Sequence, residues 1–225
     1  TAVSTVAASQ ISASVGAPVG VLPNGIDADA WRASAPWRQE PGVLRVVSVL
    51  RLAPRKRVGA LLRVLARASV LLGPDVRVQA CLIGDGPERS RAERLAGRLG
   101  LDIDFAGRLA REGITERFAQ ADVFAQASVR ESFGIAALEA RTFGLPVVAR
   151  SQTGTGEFIA DGVNGLLAGD DAALADALAL LGRDPGLLAR MRSFNETHPP
   201  DQDWTSVCDR AQAFYRQAGA AGGSA

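Results

Sequence analysis

The residues best placed to do chemistry follow directly on short apolar runs. After the β-branched run 43–50 comes Arg51-Leu52-Ala53-Pro54-Arg55-Lys56. Pro54 stiffens the turn between Arg51 and Lys56. Two such cations can converge on one anion, arginine as a planar fork and lysine as a point charge. A solvated basic turn, with Arg55 and Arg57 beside it, has the same spacing. Lys56 is the one lysine among 25 basic residues. An arginine-rich composition explains why lysine is scarce. It does not explain the one retained here, which suggests a place where a guanidinium does not fit.

The segment Arg130-Glu131-Ser132-Phe133-Gly134-Ile135-Ala136-Ala137-Leu138-Glu139-Ala140 carries a second constellation. Ser132, Phe133 and Gly134 would present backbone N–H groups at a helix N-terminus, where orphan donors and the helix dipole attract anions. Glu131 would sit in the loop before that helix, either as a ligand-binding carboxylate or as a partner of the dipole. Glu139 lies two turns on, among apolar neighbours. A half-buried carboxylate needs donors, and a vicinal diol such as a ribose supplies two. A salt bridge to Arg130 or Arg141 would serve equally. Two further strand ends, Gly84-Asp85-Gly86-Pro87 and Gly107-Arg108-Leu109, bring glycine beside a charge. The glycines would let backbone approach a ligand closely or simply form a tight turn. The pattern is not GxGxxG, and no ribose-binding acid about 20 residues on supports a dinucleotide site.

The elements that must position these residues alternate. Strands are expected at 43–50, 76–83, 101–105, 122–126, 146–149 and 165–167. Helices are expected at 58–72, 88–99, 112–120, 135–143, 171–181, 185–191 and 203–218, with one helical turn at 157–161. This alternation predicts a three-layer α/β domain, a parallel sheet with helices on both faces. Ligands in such sheets bind beyond the C-terminal ends of the strands. The chain divides into 1–19, small and Ser/Ala-rich; the α/β domain, 20–198; a last helix, 199–218; and a Gly/Ala/Ser tail, 219–225, expected to be disordered.

Composition narrows the classes. The chain has 225 residues, 25 Lys and Arg against 24 Asp and Glu. Near-zero net charge argues against duplex nucleic acid as the main partner. No apolar run approaches the roughly 18 residues of a membrane span. Cys81 and Cys208 form no CxxC and read as buried reduced thiols of a cytosolic protein. Asp27-Ala28-Asp29, Asp102-Ile103-Asp104 and Asp201-Gln202-Asp203 are DxD sequences with local explanations as turn, strand and helix start. The single histidine, His198, cannot make a zinc site by itself.

The Glu131-x7-Glu139 segment followed by Gly144-Leu145-Pro146-Val147-Val148-Ala149 resembles the donor-site signature of the retaining GT-B glycosyltransferases of family four. Pro23-Asn24-Gly25-Ile26-Asp27, the Arg51 and Lys56 pair, the two glycine loops, Gly156-Glu157 and Asp161-Gly162-Val163-Asn164-Gly165 fall in the same order. The likeness covers residues 21–191 and implies one Rossmann-like half of a GT-B fold, which binds a nucleoside-diphosphate sugar without a metal or other cofactor.

By this resemblance Arg51 and Lys56 would grip the diphosphate and stabilise charge on the departing nucleotide. Glu131 would bind hydroxyls of the donor sugar. The backbone at Ser132, Phe133, Gly134 and Ile135 would meet phosphate or sugar, and Glu139 the ribose. Gly84, Asp85, Gly86 and Arg108 would border the nucleotide, with UDP or GDP the expected carrier. The acceptor would be held by an N-terminal domain, of which 1–19 would be the last residues and against which the final helix would pack. Trp204, Val207, Phe214 and Tyr215 would then find fewer partners. The isolated chain would bind donor with little transfer. The protein would be cytoplasmic, with any contact to the inner face of a membrane made through that other domain. Arg141-Thr142-Phe143 departs from the smaller residues usual in the family and puts local packing in question. The rival readings are a sugar-nucleotide epimerase or phosphorylase of the same fold, and a non-catalytic nucleotide-sugar module. A phosphorylase of this type would need a pyridoxal-binding lysine besides Lys56.

Overall fold

The computed structural model describes residues 1–33 and 36–222. Among these, six parallel strands form one sheet: β1 (Val43–Val49), β2 (Arg77–Ile83), β3 (Asp102–Gly107), β4 (Val123–Gln126), β5 (Val147–Arg150) and β6 (Gly165–Ala168), in spatial order β3-β2-β1-β4-β5-β6. Helices α2 (Val58–Leu72), α3 (Arg89–Arg98) and α6 (Asp171–Arg183) contribute to the core on one face. Helices α4 (Arg111–Ala119) and α5 (Ile135–Phe143) contribute to the core on the other. This is the expected Rossmann-like three-layer arrangement. The order of strands reverses between β1 and β4, and the crevice at such a switch point is where these sheets take ligands.

Period-two burial divides each central strand between the two cores. Leu44 and Val46 of β1 enter the core under α2, and Val47 enters the core under α5. In β4, Val123 and Ala125 face α2 whereas Phe124 faces α5. Helix α2 buries Val58, Leu61, Leu62, Leu65, Ala68 and Leu72, an i, i+3/i+4 stripe. Asp170 and Asp184 cap α6 and α7 (Pro185–Thr197), each accepting a backbone N–H at 2.8 Å. Helix α7 runs past residue 191 because Arg192 and Asn195 continue its buried face.

Arg141, Thr142 and Phe143, the departure from the family pattern, are buried, and Arg141 Nε is left without a partner among the described residues. Phe143 packs edge-on against Phe118 at 5.6 Å, and Arg141 donates to the His198 carbonyl at 3.3 Å. His198 itself stacks on Phe194 at 4.3 Å.

Three expectations change. The helical turn expected at 157–161 lies upstream, a 3-10 turn at Gly154–Glu157. Gly154 must pass close to the Ser132 carbonyl, and Asn164 brackets the Phe158 carbonyl and the Ala160 N–H, so 157–161 is drawn out of helical form. The cysteines are not both buried: Cys81 is half-buried near the sheet edge and Cys208 is exposed on the last helix. That helix, α8 (Trp204–Gly222), continues into the stretch expected as a tail, and 223–225 lie outside the described residues.

The two chain ends attach differently. Helix α1 (Thr5–Val15) is capped by Ser4, and Ala2 pairs with Val21. Ile26 of the Pro-Asn-Gly segment donates to the Gln202 carbonyl at 2.8 Å, and Gly25 lies under the Trp204 ring. On α8, Val207 is buried and Phe214 covers Gly20, but Trp204 and Tyr215 stay 56% and 78% exposed. No described helix is long and apolar enough to cross a membrane.

Candidate functional site

The turn after β1 is a single 3-10 turn, Pro54–Lys56, with Pro54 at its first position. Arg57 follows with φ 56°, a left-handed conformation that a long side chain adopts only when held. Its guanidinium meets Asp171 at 2.7 Å and the Ala127 carbonyl at 2.9 Å, and Arg150 joins the same carboxylate at 3.3 Å. Arg57 is therefore an anchor that fixes the preceding residue. Lys56 then points across to the next loop, where its Nζ lies 2.5 Å from Glu131 Oε2.

This pair borders a cavity of about 60 Å³ at the C-terminal ends of β1 and β4, also lined by Gln126, Ser128, Gly134, Ile135 and Ala136. The start of α5 forms part of its wall. Gly134 has φ 94°, and a Cβ there would stand 2.6 Å from the Thr155 methyl, so only glycine fits. The N–H groups of Ile135 and Ala136 find no acceptor among the described residues. They are the orphan donors of a helix start.

The loop before α5 is tied from behind. Ser4 donates to the Ser132 carbonyl at 2.5 Å, and Gly154 donates to the Glu131 carbonyl at 2.9 Å. Thr5 also binds the Glu157 carboxylate through its backbone N–H at 2.6 Å. Phe133 is buried against Phe158 at 5.5 Å. Its side chain is thus core, and only its backbone is free to serve a ligand. Ser132 is exposed.

Glu139 sits one turn after Ile135 on α5, so the two share a face. It makes no hydrogen bond or ion pair among the described residues, and neither Arg130 nor Arg141 pairs with it. Burial pushes its carboxyl up to about 7, opposed in part by Arg111 at the start of α4. Arg111 escaped notice in the sequence because it belongs to no strand end or glycine motif.

Other expected residues stand apart. Arg51 is exposed, has no ion pair among the described residues and does not line the cavity, so convergence with Lys56 on one hollow is not seen. Arg108 is likewise exposed. Gly84 and Gly86 have a reason other than a ligand. Leu50 donates to the Ile83 carbonyl at 2.9 Å, Leu52 to the Asp85 carbonyl at 3.0 Å, and Glu88 to the Leu52 carbonyl at 2.9 Å. A Cβ at Gly84 would collide with the Leu50 carbonyl, and one at Gly86 with the Leu52 carbonyl. The close approach is between two loops of the protein. Asp85 closes its own turn, accepting the Gly86 N–H at 2.8 Å.

The DxD aspartates are engaged locally. Asp27 accepts the Ala30 N–H, Asp104 pairs with Arg117 at 3.0 Å, and Asp203 caps Ser206. Among the described residues no group of three or more His, Cys, Asp or Glu is gathered as a metal site needs. Burial pushes the Cys81 thiol up to about 11, away from nucleophilic use.

The model of the family "Glycosyl transferases group 1" matches residues 28–198. The chain belongs to the group 1 glycosyl transferases. Within that family it is 34% identical over 205 residues to the D-inositol 3-phosphate glycosyltransferase of Kribbella flavida, covering 85% of this chain and 47% of the relative. It is 31% identical to the phosphatidyl-myo-inositol mannosyltransferase of Mycobacterium leprae, covering 89% of this chain and 54% of the relative. This group 1 chain thus spans about half the length of the curated relatives it matches. Its fold resembles that of Anabaena Alr3699/HepE in complex with UDP, with TM-score 0.80 and 24% identity, covering 96% of this chain and 63% of that one. It also resembles sucrose-phosphate synthase from Thermosynechococcus elongatus, with TM-score 0.81 and 23% identity over 98% of this chain and 58% of that one.

Proposed function

We propose that this chain is the donor-binding half of a retaining glycosyltransferase, that it holds a nucleoside-diphosphate sugar, and that an acceptor domain completes the enzyme. The observation that carries the reading is Lys56, held 2.5 Å from Glu131 beside the unpaired N–H groups that open α5. A cation and a helix N-terminus at a strand-switch crevice suit a diphosphate. Glu139 lies further along the same helix, a carboxylate short of donors, and a ribose diol would supply two.

Breaking the bond between sugar and diphosphate leaves negative charge on the departing nucleotide. Lys56 and the α5 N-terminus would stabilise it as it forms, with no metal required. Glu131 would turn from Lys56 to the donor sugar's hydroxyls. Arg51 would reach the diphosphate only by reorienting its exposed side chain, and Arg108 with the Gly84, Asp85 and Gly86 loop would form the nucleotide's border. The UDP held by Anabaena Alr3699/HepE makes a uridine nucleotide the first to try.

The test is calorimetric titration with UDP, GDP and ADP. At least one should bind wild type, and Lys56→Ala and Glu139→Ala should each weaken it. Binding indifferent to both substitutions, or no binding of any nucleoside diphosphate, sinks the proposal. Robust transfer by this chain alone would refute the need for a second domain.

A further inference from the structure

The last residue of β4 is chemically out of place. Val123, Phe124 and Ala125 are apolar and buried, yet Gln126 follows them into the interior at 9% exposure. It lies on the α5 side of the sheet, two residues beyond Phe124. Its Nε2 is enclosed and has no acceptor among the described residues, and Gln126 lines the Lys56 cavity. An enclosed amide without a partner is destabilising, so a strand that could have ended in leucine carries a penalty here.

The cavity's other polar groups indicate what would relieve it. Lys56 Nζ and the Ile135 and Ala136 N–H groups donate, and the Ser48 and Ser128 hydroxyls can do so as well as accept, the latter only weakly engaged with the Lys56 carbonyl at 3.4 Å. The single carboxylate, Glu131, is already taken by Lys56. A site rich in donors and poor in acceptors does not suit a hydroxyl, which needs both. It suits an oxyanion, and a phosphoryl group offers several acceptor oxygens with no donor.

We infer that Gln126 is a ligand of the donor's diphosphate, its amide donating to a phosphoryl oxygen from the sheet side while Lys56 and the start of α5 hold the same group from the others. This inference rests on the donor-site reading above and adds a residue to it. Its consequence is selectivity for phosphoryl charge: Gln126 would strengthen the grip on the diphosphate and leave recognition of the nucleoside untouched.

The experiment measures affinity and thermal stability together, using inorganic pyrophosphate and UDP, GDP and ADP on wild type, Gln126→Leu, Gln126→Met and Lys56→Ala. Gln126→Leu and Gln126→Met should bind the preferred nucleoside diphosphate and pyrophosphate about tenfold more weakly, while their melting temperatures hold or rise. Gln126→Met keeps the length of the side chain, so it remains informative if the leucine variant misfolds. Affinity equal to wild type in a folded Gln126 variant overturns the inference, because a purely structural amide would move stability alone. If Lys56→Ala is impaired while the Gln126 variants bind normally, the donor site stands and only Gln126 is wrongly assigned. If wild type binds no nucleoside diphosphate, both readings fall together.

Discussion

Glu131 and Glu139 lie on either side of one helix start, and the fold treats them oppositely. Glu131 is salt-bridged to Lys56 at 2.5 Å. Glu139 is half-buried with neither ion pair nor hydrogen bond among the described residues, and burial lifts its carboxyl to about 7. A carboxylate already neutralised is comfortable without a ligand. One left without donors is not, and under the proposed function a ribose diol would relieve it. The first acid is thus engaged by the protein, and the second is left unpaired among the described residues.

The difference can be broken most sharply from the lysine side. Lys56→Ala removes the cation and leaves Glu131 facing the same phosphate, so nucleoside-diphosphate affinity should fall at least about thirtyfold, roughly 2 kcal/mol. Titration calorimetry reads this directly, and an unchanged dissociation constant would falsify the contrast.

Glu139→Gln should act on both binding and stability. Affinity should drop about tenfold with loss of a charge-assisted hydrogen bond. Stability should move the other way, with a pH signature. Below the ordinary carboxylate range Glu139 is protonated in both folded and unfolded chains and costs nothing. As pH rises toward about 7 the unfolded chain ionises first, and stability is lost progressively until the folded pKa is passed. The glutamine variant should therefore melt a few degrees above wild type at pH 8 and level with it at pH 4. The same linkage weakens binding of a nucleotide sugar by wild type up to about tenfold for each pH unit below 7, a slope the variant should lack.

Glu131→Gln probes the engaged acid. With Lys56 released, nucleoside diphosphate should bind a few-fold more tightly, while transfer by a complete enzyme should suffer from the missing sugar contact. Weaker nucleotide binding would mean that the ion pair helps, not competes. Ser4→Ala should have the smallest effect on binding. Loss of the α1 cap and of the bond to the Ser132 carbonyl should cost about 1 kcal/mol, or roughly 2–4 °C in melting temperature, seen by calorimetric scanning.

Much of this contrast was legible in the residues alone. The β-branched run into β1 and the helical stripe of α2 repeat clear periods, so sheet and helices follow from composition and spacing. Glu131 and Glu139 could be picked out because a helix start lies between them. The roles of Gly84 and Gly86 could not, because their reason is the passage of the Leu50 and Leu52 carbonyls from a distant loop. Arg51 shows the same limit: spacing brings two cations near one strand end, but side-chain direction decides whether they share a hollow. Gln126 did carry a signal, a polar residue closing an otherwise apolar strand. Its importance depends on the cavity, which is a property of β1, β4 and α5 together.

The solitary lysine has a practical corollary. Besides the α-amino group, Lys56 is the only primary amine on this chain. An amine-selective acylating reagent can therefore mark little else, and intact mass would report whether that nitrogen is shielded. Protection by nucleotide would turn the protein's own amino-acid usage into an occupancy gauge, with no label introduced by mutation.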